Sequence, residues 1–148
     1  MLTIKSILVP SDFSDCSDGA LRYALALNER FGAQLHLLHV VQDPYTQPWA
    51  PEAFTAPLGD LLNDWLAQAR TRLSEAVPDA HRHSTLVTTV IGSPSAEIVR
   101  YAEEQAIDLV VIGTHGRGPI GHALLGSVTE RVVRKSPCPV LTVRQAQR

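Results

Sequence analysis

The chain has 148 residues, 45% of them hydrophobic, and a formal net charge of −2. A chain of about 150 residues buries roughly two thirds of its unfolded surface, enough for one stable domain without a metal or a disulfide framework. The small net charge gives no electrostatic reason to expect nucleic acid or an anionic membrane as partner, and apolar runs of about five residues fall far short of the roughly 20 that span a bilayer.

Residues 1–6 lead straight into the apolar run Ile7-Leu8-Val9, without the charged, apolar and small-residue regions of a signal peptide. Cys16 and Cys138 lie too far apart for a zinc motif or a disulfide framework and read as small packing residues. Both points predict a cytoplasmic protein. Ser14 or Asp15 can cap a first helix, in which Ala20, Leu21, Ala24, Leu25 and Leu27 recur at helical spacing, and Gly32 stands where a C-terminal cap belongs. Leu35 to Val41 is a second strand. The segment Gln42 to Pro57 follows, with Pro44, Pro48, Pro51 and Pro57 and no regular period. It is read as a long loop, whose Tyr45 and Trp49 either cover the sheet edge and the next helix or close over a ligand.

Leu58 to Val77 is a second helix, with Leu61, Leu62, Trp65, Leu66, Ala69 and Leu73 on one side, ended by Pro78. Thr85 to Ile91 alternates more than the other strands and is placed near a sheet edge. Ser93-Pro94 opens a third helix, with proline at the favoured first position. Leu109-Val110-Val111-Ile112 is a fourth strand, Ser127 to Arg134 a fourth helix ended by Pro137, and Val140-Leu141-Thr142-Val143 a fifth strand. Strict alternation of strand and helix predicts an α/β fold over a single domain, residues 1–148: a doubly wound, open five-stranded parallel sheet, Rossmann-like or flavodoxin-like, in the order 3-2-1-4-5, with helices on both faces.

In such sheets a ligand binds beyond the carboxyl ends of the strands, where the strand order reverses. That points to the loops after strands one and four. The first is Pro10-Ser11-Asp12-Phe13-Ser14. The second, Gly113 to Ser127, holds five of the nine glycines and ends at a helix N-terminus. Glycines let backbone N–H groups approach an anion, the helix end adds about half a positive charge, Ser127 adds a hydroxyl, and Arg117 is a phosphate clamp. No Gly-Lys-Ser/Thr follows, so this is not a Walker A loop, and a dinucleotide fingerprint would lie after strand one.

With these residues the sequence resembles the universal stress protein family along nearly its whole length. Ile7 to Ser14 is similar to the family's first strand and loop, Leu38-His39-Val40-Val41 to the end of its second strand, and Ser136 to Val143 to its ending. Its ATP motif (glycine, two residues, glycine, nine residues, glycine, serine or threonine) falls on Gly113, Gly116, Gly126 and Ser127. The resemblance implies an ATP-binding regulatory or stress-response protein, with a divalent ion, Mg2+ or Mn2+, bridging the phosphates. It implies that Pro10, Ser11, Asp12 and Val40 lie at the nucleoside, that Gly113, Thr114, His115, Gly116 and Arg117 line the ribose and phosphates, and that Gly126, Ser127, Val128 and Thr129 cap the phosphates. Asp12 also reads as a capping residue of the first helix.

The remaining constellations carry less. His36 and His39 sit on opposite faces of a strand and cannot share a metal, His81 and His83 share a polar loop, and the histidines other than His115 read as surface or loop residues. No Gly-x-Ser-x-Gly elbow surrounds Ser11 or Ser127, and no acid–base pair is in evidence, so no catalytic residue is assigned. The rival functions are a slow ATPase or nucleotidyl transferase using the same pocket, and an interaction module with that pocket empty. The final strand is expected at a sheet edge with its backbone groups unpaired, which predicts a homodimer through Val140 to Val143. The resemblance implies the same pairing.

Overall fold

The computed structural model describes residues 1–44, 58–115 and 125–145. The elements are β1 (Ser6–Pro10), α1 (Asp15–Phe31), β2 (Gln34–Gln42), α2 (Leu58–Ala76), a 3-10 helix (Asp79–Ser84), β3 (Thr85–Gly92), α3 (Pro94–Glu104), β4 (Leu109–Gly113), α4 (Ser127–Lys135) and β5 (Val140–Val143). Most of the Gln42 to Pro57 loop, including Tyr45 and Trp49, lies outside the described residues.

The local signals act as their chemistry dictates. Ser14 is the α1 cap, its hydroxyl accepting the Ser17 N–H, and Gly32 closes the helix at φ 65°, a left-handed conformation that glycine adopts at little steric cost. Pro94 occupies the first turn of α3. The polar loop expected around His81 is instead a 3-10 helix. Pro78 cannot continue an α-helix, and the chain tightens into short turns in which the His81 N–H donates to Pro78 O at 2.9 Å.

The five strands form one sheet in the order β3-β2-β1-β4-β5, and every pairing is parallel. Parallel pairing through helices buries both faces, so β1, β2 and β4 read as near-continuous apolar runs, whereas β3 alternates because it is an edge. Successive side chains serve opposite cores. Ile7, Val9, Leu35, Leu37 and Val111 pack on one face with Ala20, Leu21 and Ala24 of α1 and Leu73 of α2. Leu8, Leu38, Val40, Val110 and Ile112 pack on the other with Ile98 and Ala102 of α3 and Val132 of α4. Each fully buried leucine contributes about 1.5–3 kcal/mol, which makes this interior the main source of stability.

His36 corrects the reading of histidines as surface groups. It is only 4% exposed, on the α3 face of β2, with Nδ1 2.8 Å from the Tyr101 hydroxyl. A short apolar run with one histidine does not reveal from sequence that a tyrosine 65 positions later supplies its partner.

Candidate functional site

Strand length creates the site. β1 pairs with β2 only from Ser6↔Gln34 to Pro10↔Leu38, while β2 runs on to Gln42 beside β3. Beyond Leu38 the β1-facing edge of β2 is therefore left without a strand partner. The Ser11 N–H closes the last rung by donating to Leu38 O at 2.8 Å. Backbone groups alternate sides along a strand, so Val40, two residues on, turns its N–H and C=O toward the same notch.

The notch opens into a cavity of about 900 Å³ over the carboxyl ends of β1, β2 and β4, at the β1/β4 switch point. Pro10, Ser11, Asp12, Val40, Gly113, His115, Gly126, Ser127, Val128 and Thr129 all line it. Thr114 does not. It is 3% exposed; its N–H donates to Val143 O at 3.0 Å and its carbonyl accepts the Gly126 N–H at 2.7 Å. Its role is to tie the two ends of the glycine loop to β5. Gly116 and Arg117 lie outside the described residues.

Ser11 and Asp12 are fixed by local bonds. Asp12 Oδ1 accepts the Ser14 N–H at 3.0 Å, forming a turn just before the helix, while Ser14 itself caps it. Ser11 Oγ accepts the Phe13 N–H at 3.2 Å, and Ser11 O accepts from His39 Nδ1 at 2.7 Å. A carbonyl only accepts, so His39 carries its proton on Nδ1.

At the other wall, α4 starts at Gly126, which supplies no side-chain cap. Its N-cap residue thus leaves the first-turn N–H groups without a side-chain oxygen of its own at the cavity wall, where the helix dipole favours an anion. Thr129 Oγ1 is spent on Gly113 O at 2.7 Å, so its hydroxyl anchors α4 to β4. The glycine at 113 answers to packing: a Cβ there would stand 2.9 Å from the carbonyl carbon and oxygen of Cys16, so only glycine lets the start of α1 rest on the end of β4. His115 Nδ1 lies 3.1 Å from Thr114 Oγ1, and Nε2 is the one buried side-chain nitrogen or oxygen without a hydrogen-bond partner among the described residues.

Sequence reasoning passed over the α2 wall. Trp65, Gln68, Ala69 and Arg72 face the cavity together with Phe13 and His39. Trp65 and Ala69 belong to the helix's apolar stripe, and that stripe gave no sign that its edge, at Gln68 and Arg72, reaches past the sheet. The available signal was β2 itself, whose apolar run is longer than that of β1.

Fold and site together define a doubly wound α/β protein with a cavity at its switch point. The model of the universal stress protein family matches residues 3–144, and the chain belongs to that family. Universal stress protein MJ0577 of Methanocaldococcus jannaschii is 30% identical over 156 residues covering 95% of each chain. A universal stress protein of Thermus aquaticus is 34% identical over 145 residues, 95% of this chain and 98% of the relative. The solved structure of MJ0577 superposes with a TM-score of 0.82 at 29% identity, over 99% of this chain and all of that one. A universal stress protein solved in complex with cAMP matches at 26% identity and a TM-score of 0.65, over 98% of this chain and all of that one.

Proposed function

We propose that this protein is a nucleotide-responsive regulator whose ligand is ATP, taken up in the switch-point cavity. The observation that carries the reading is the cavity wall shared by the α4 N-terminus, at Gly126 and Ser127, and His115, whose buried Nε2 has no hydrogen-bond partner among the described residues. A buried nitrogen without a partner costs about 1–3 kcal/mol, and a phosphate oxygen would relieve that cost while meeting the helix dipole. At the opposite wall, the Val40 backbone edge offers one donor and one acceptor to the rim of a base, and Ser11 and Asp12 face the nucleoside. That a relative has been solved with cAMP supports an adenine nucleotide.

Among the described residues no group of three or more His, Cys, Asp and Glu side chains could hold a metal ion. A divalent ion accompanying ATP would thus be held chiefly by the phosphates, and neutralising them is the chemistry it would supply. ATP acts in this reading as a ligand that sets conformation or partner choice. Mass spectrometry of nucleotide released from the denatured, purified protein tests it, with ATP as the expected species. An empty pocket that also fails to bind added ATP overturns it.

The same reading includes a homodimer through β5. The strand ends the sheet beside β4, and Leu141 is 39% exposed on it. Two-fold pairing of this edge would satisfy its free backbone groups. Leu141→Lys is expected to convert a dimer to a monomer in light scattering at micromolar concentration. A wild type already monomeric there refutes the interface.

A further inference from the structure

Phe13 is the residue in the site whose backbone least suits its side chain. Its φ is 65°, in the left-handed region that a bulky residue avoids. Such a conformation persists only where the surroundings hold it, and here the holding groups can be named. The Phe13 N–H is bonded to Ser11 Oγ at 3.2 Å, and the next N–H, of Ser14, to Asp12 Oδ1 at 3.0 Å. The His39 ring lies 4.4 Å from the Phe13 ring, centroid to centroid, and the Arg72 guanidinium stands over the same ring at 4.2 Å. Both groups therefore lie against the phenyl ring, one from β2 and one from α2.

The ring is thus engaged by side chains of two other elements. Its work is to lock the Pro10 to Ser14 turn from three elements at once: α1 through the turn itself, β2 through His39, and α2 through Arg72. His39 locks the turn a second time by donating to Ser11 O at 2.7 Å.

We propose that Phe13, held by His39 and Arg72, is a positioning residue that keeps Ser11 and Asp12 in the arrangement that receives the nucleoside. The proposal rests on the nucleotide reading above. It makes Arg72 more than a surface cation. Arg72 is exposed and lies on the cavity wall, yet its part is played through the ring, at the nucleoside end.

Calorimetric titration with adenosine and with ATP separates these roles, using wild type, Phe13→Gly and Arg72→Met. Phe13→Gly removes the ring and frees the backbone of strain. It is expected to weaken both ligands by roughly tenfold, because a loosened turn must be ordered on binding. Arg72→Met keeps the stem, removes the cation from the ring, and is expected to weaken both ligands by about threefold. Equal losses for adenosine and ATP mark positioning at the nucleoside; a loss confined to ATP would make Arg72 a direct phosphate contact and overturn its assigned role. Amide exchange at Phe13 and Ser14 in the ligand-free protein should quicken in both variants, which a direct contact would not cause. If Phe13→Gly does not fold, the Arg72→Met comparison decides alone, since an exposed side chain can be changed without loss of the core. Wild-type binding with unchanged affinities in the variants overturns the positioning role and leaves the nucleotide reading standing. A wild type that binds neither adenosine nor ATP overturns both.

Discussion

The two ends of the sheet are built on opposite terms. At the amino end of the strands, polar groups are used up. Asp108 Oδ2 accepts the N–H groups of Lys5 at 2.8 Å and Ser6 at 3.1 Å, tying the start of β1 to the start of β4. Asn28, 7% exposed in α1, donates to Ala33 O and to Ser84 Oγ and accepts from His81 Nδ1 at 3.0 Å, while His81 Nε2 reaches Glu29 at 3.0 Å. At the carboxyl end, by contrast, the α4 cap position is a glycine with no side chain to bond, His115 Nε2 has no partner among the described residues, Phe13 sits in a strained conformation, and β2 outruns β1. Local rules are kept at the amino end of the sheet and broken around the switch-point cavity, the pattern expected of a functional site. Stability and ligand affinity should accordingly separate under mutation.

The largest expected effect is at the open end. Gly126 has φ −60° and ψ 156°, an extended conformation that valine adopts readily, so Gly126→Val should not strain the backbone. The added methyls would stand in front of the α4 N-terminus, where the proposed nucleotide would place a phosphate. ATP affinity should fall at least about a hundredfold, which is roughly 2.7 kcal/mol. Thermal unfolding with and without ATP reads this directly. ATP should raise the wild-type Tm and leave that of Gly126→Val unmoved, with the ligand-free values alike. Equal ATP-induced shifts in the two proteins would remove the α4 N-terminus from the site.

The second test lies at the closed end. Asn28→Ala leaves Ala33 O, Ser84 Oγ and His81 Nδ1 without their shared partner. Losing one buried amide of this kind costs about 1–3 kcal/mol, and the better helix propensity of alanine returns only about 0.6. A net loss of about 1.4 kcal/mol should lower Tm by roughly 3–6 °C while ATP affinity stays at the wild-type value. An affinity that falls in step with Tm would mean the two ends are not separable.

Much of the closed architecture was legible in the sequence because its causes are local. Ile7-Leu8-Val9 and Leu109 to Ile112 are continuous apolar runs, Thr85 to Ile91 alternates, and Ser14 and Gly32 bracket α1; each follows from a neighbour within a few residues. The switch-point loops were legible through topology and the family motif. Three features were not, because each depends on a distant partner. Gly113 looks like one more flexible position in a glycine-rich stretch, and only the approach of Cys16 explains why no Cβ is tolerated there. Phe13 gives no sign of a left-handed backbone until His39 and Arg72 are placed about it. His36 reads as one of six histidines until Tyr101 covers it.

His36 lies between the two ends, in mid-sheet, and provides the smallest and most specific test. Burial holds its imidazole below the ordinary pKa near 6.5 by disfavouring the charged form. The unfolded chain takes up this proton near pH 6.5, while the folded chain resists it to lower pH. Between those two values the unfolded state binds more protons, so stability is complete above about pH 6.5 and drains away as pH falls toward the folded value. The slope from this one group cannot exceed about 1.4 kcal/mol per pH unit. His36→Gln keeps a polar group facing the Tyr101 hydroxyl but cannot titrate. It should cost some stability at every pH while flattening the decline between pH 7.5 and 5.5, measured by urea midpoints. The two proteins differ at this one position, so the difference between the two slopes isolates His36. Parallel slopes would show that burial of His36 makes no contribution to the pH sensitivity of the fold.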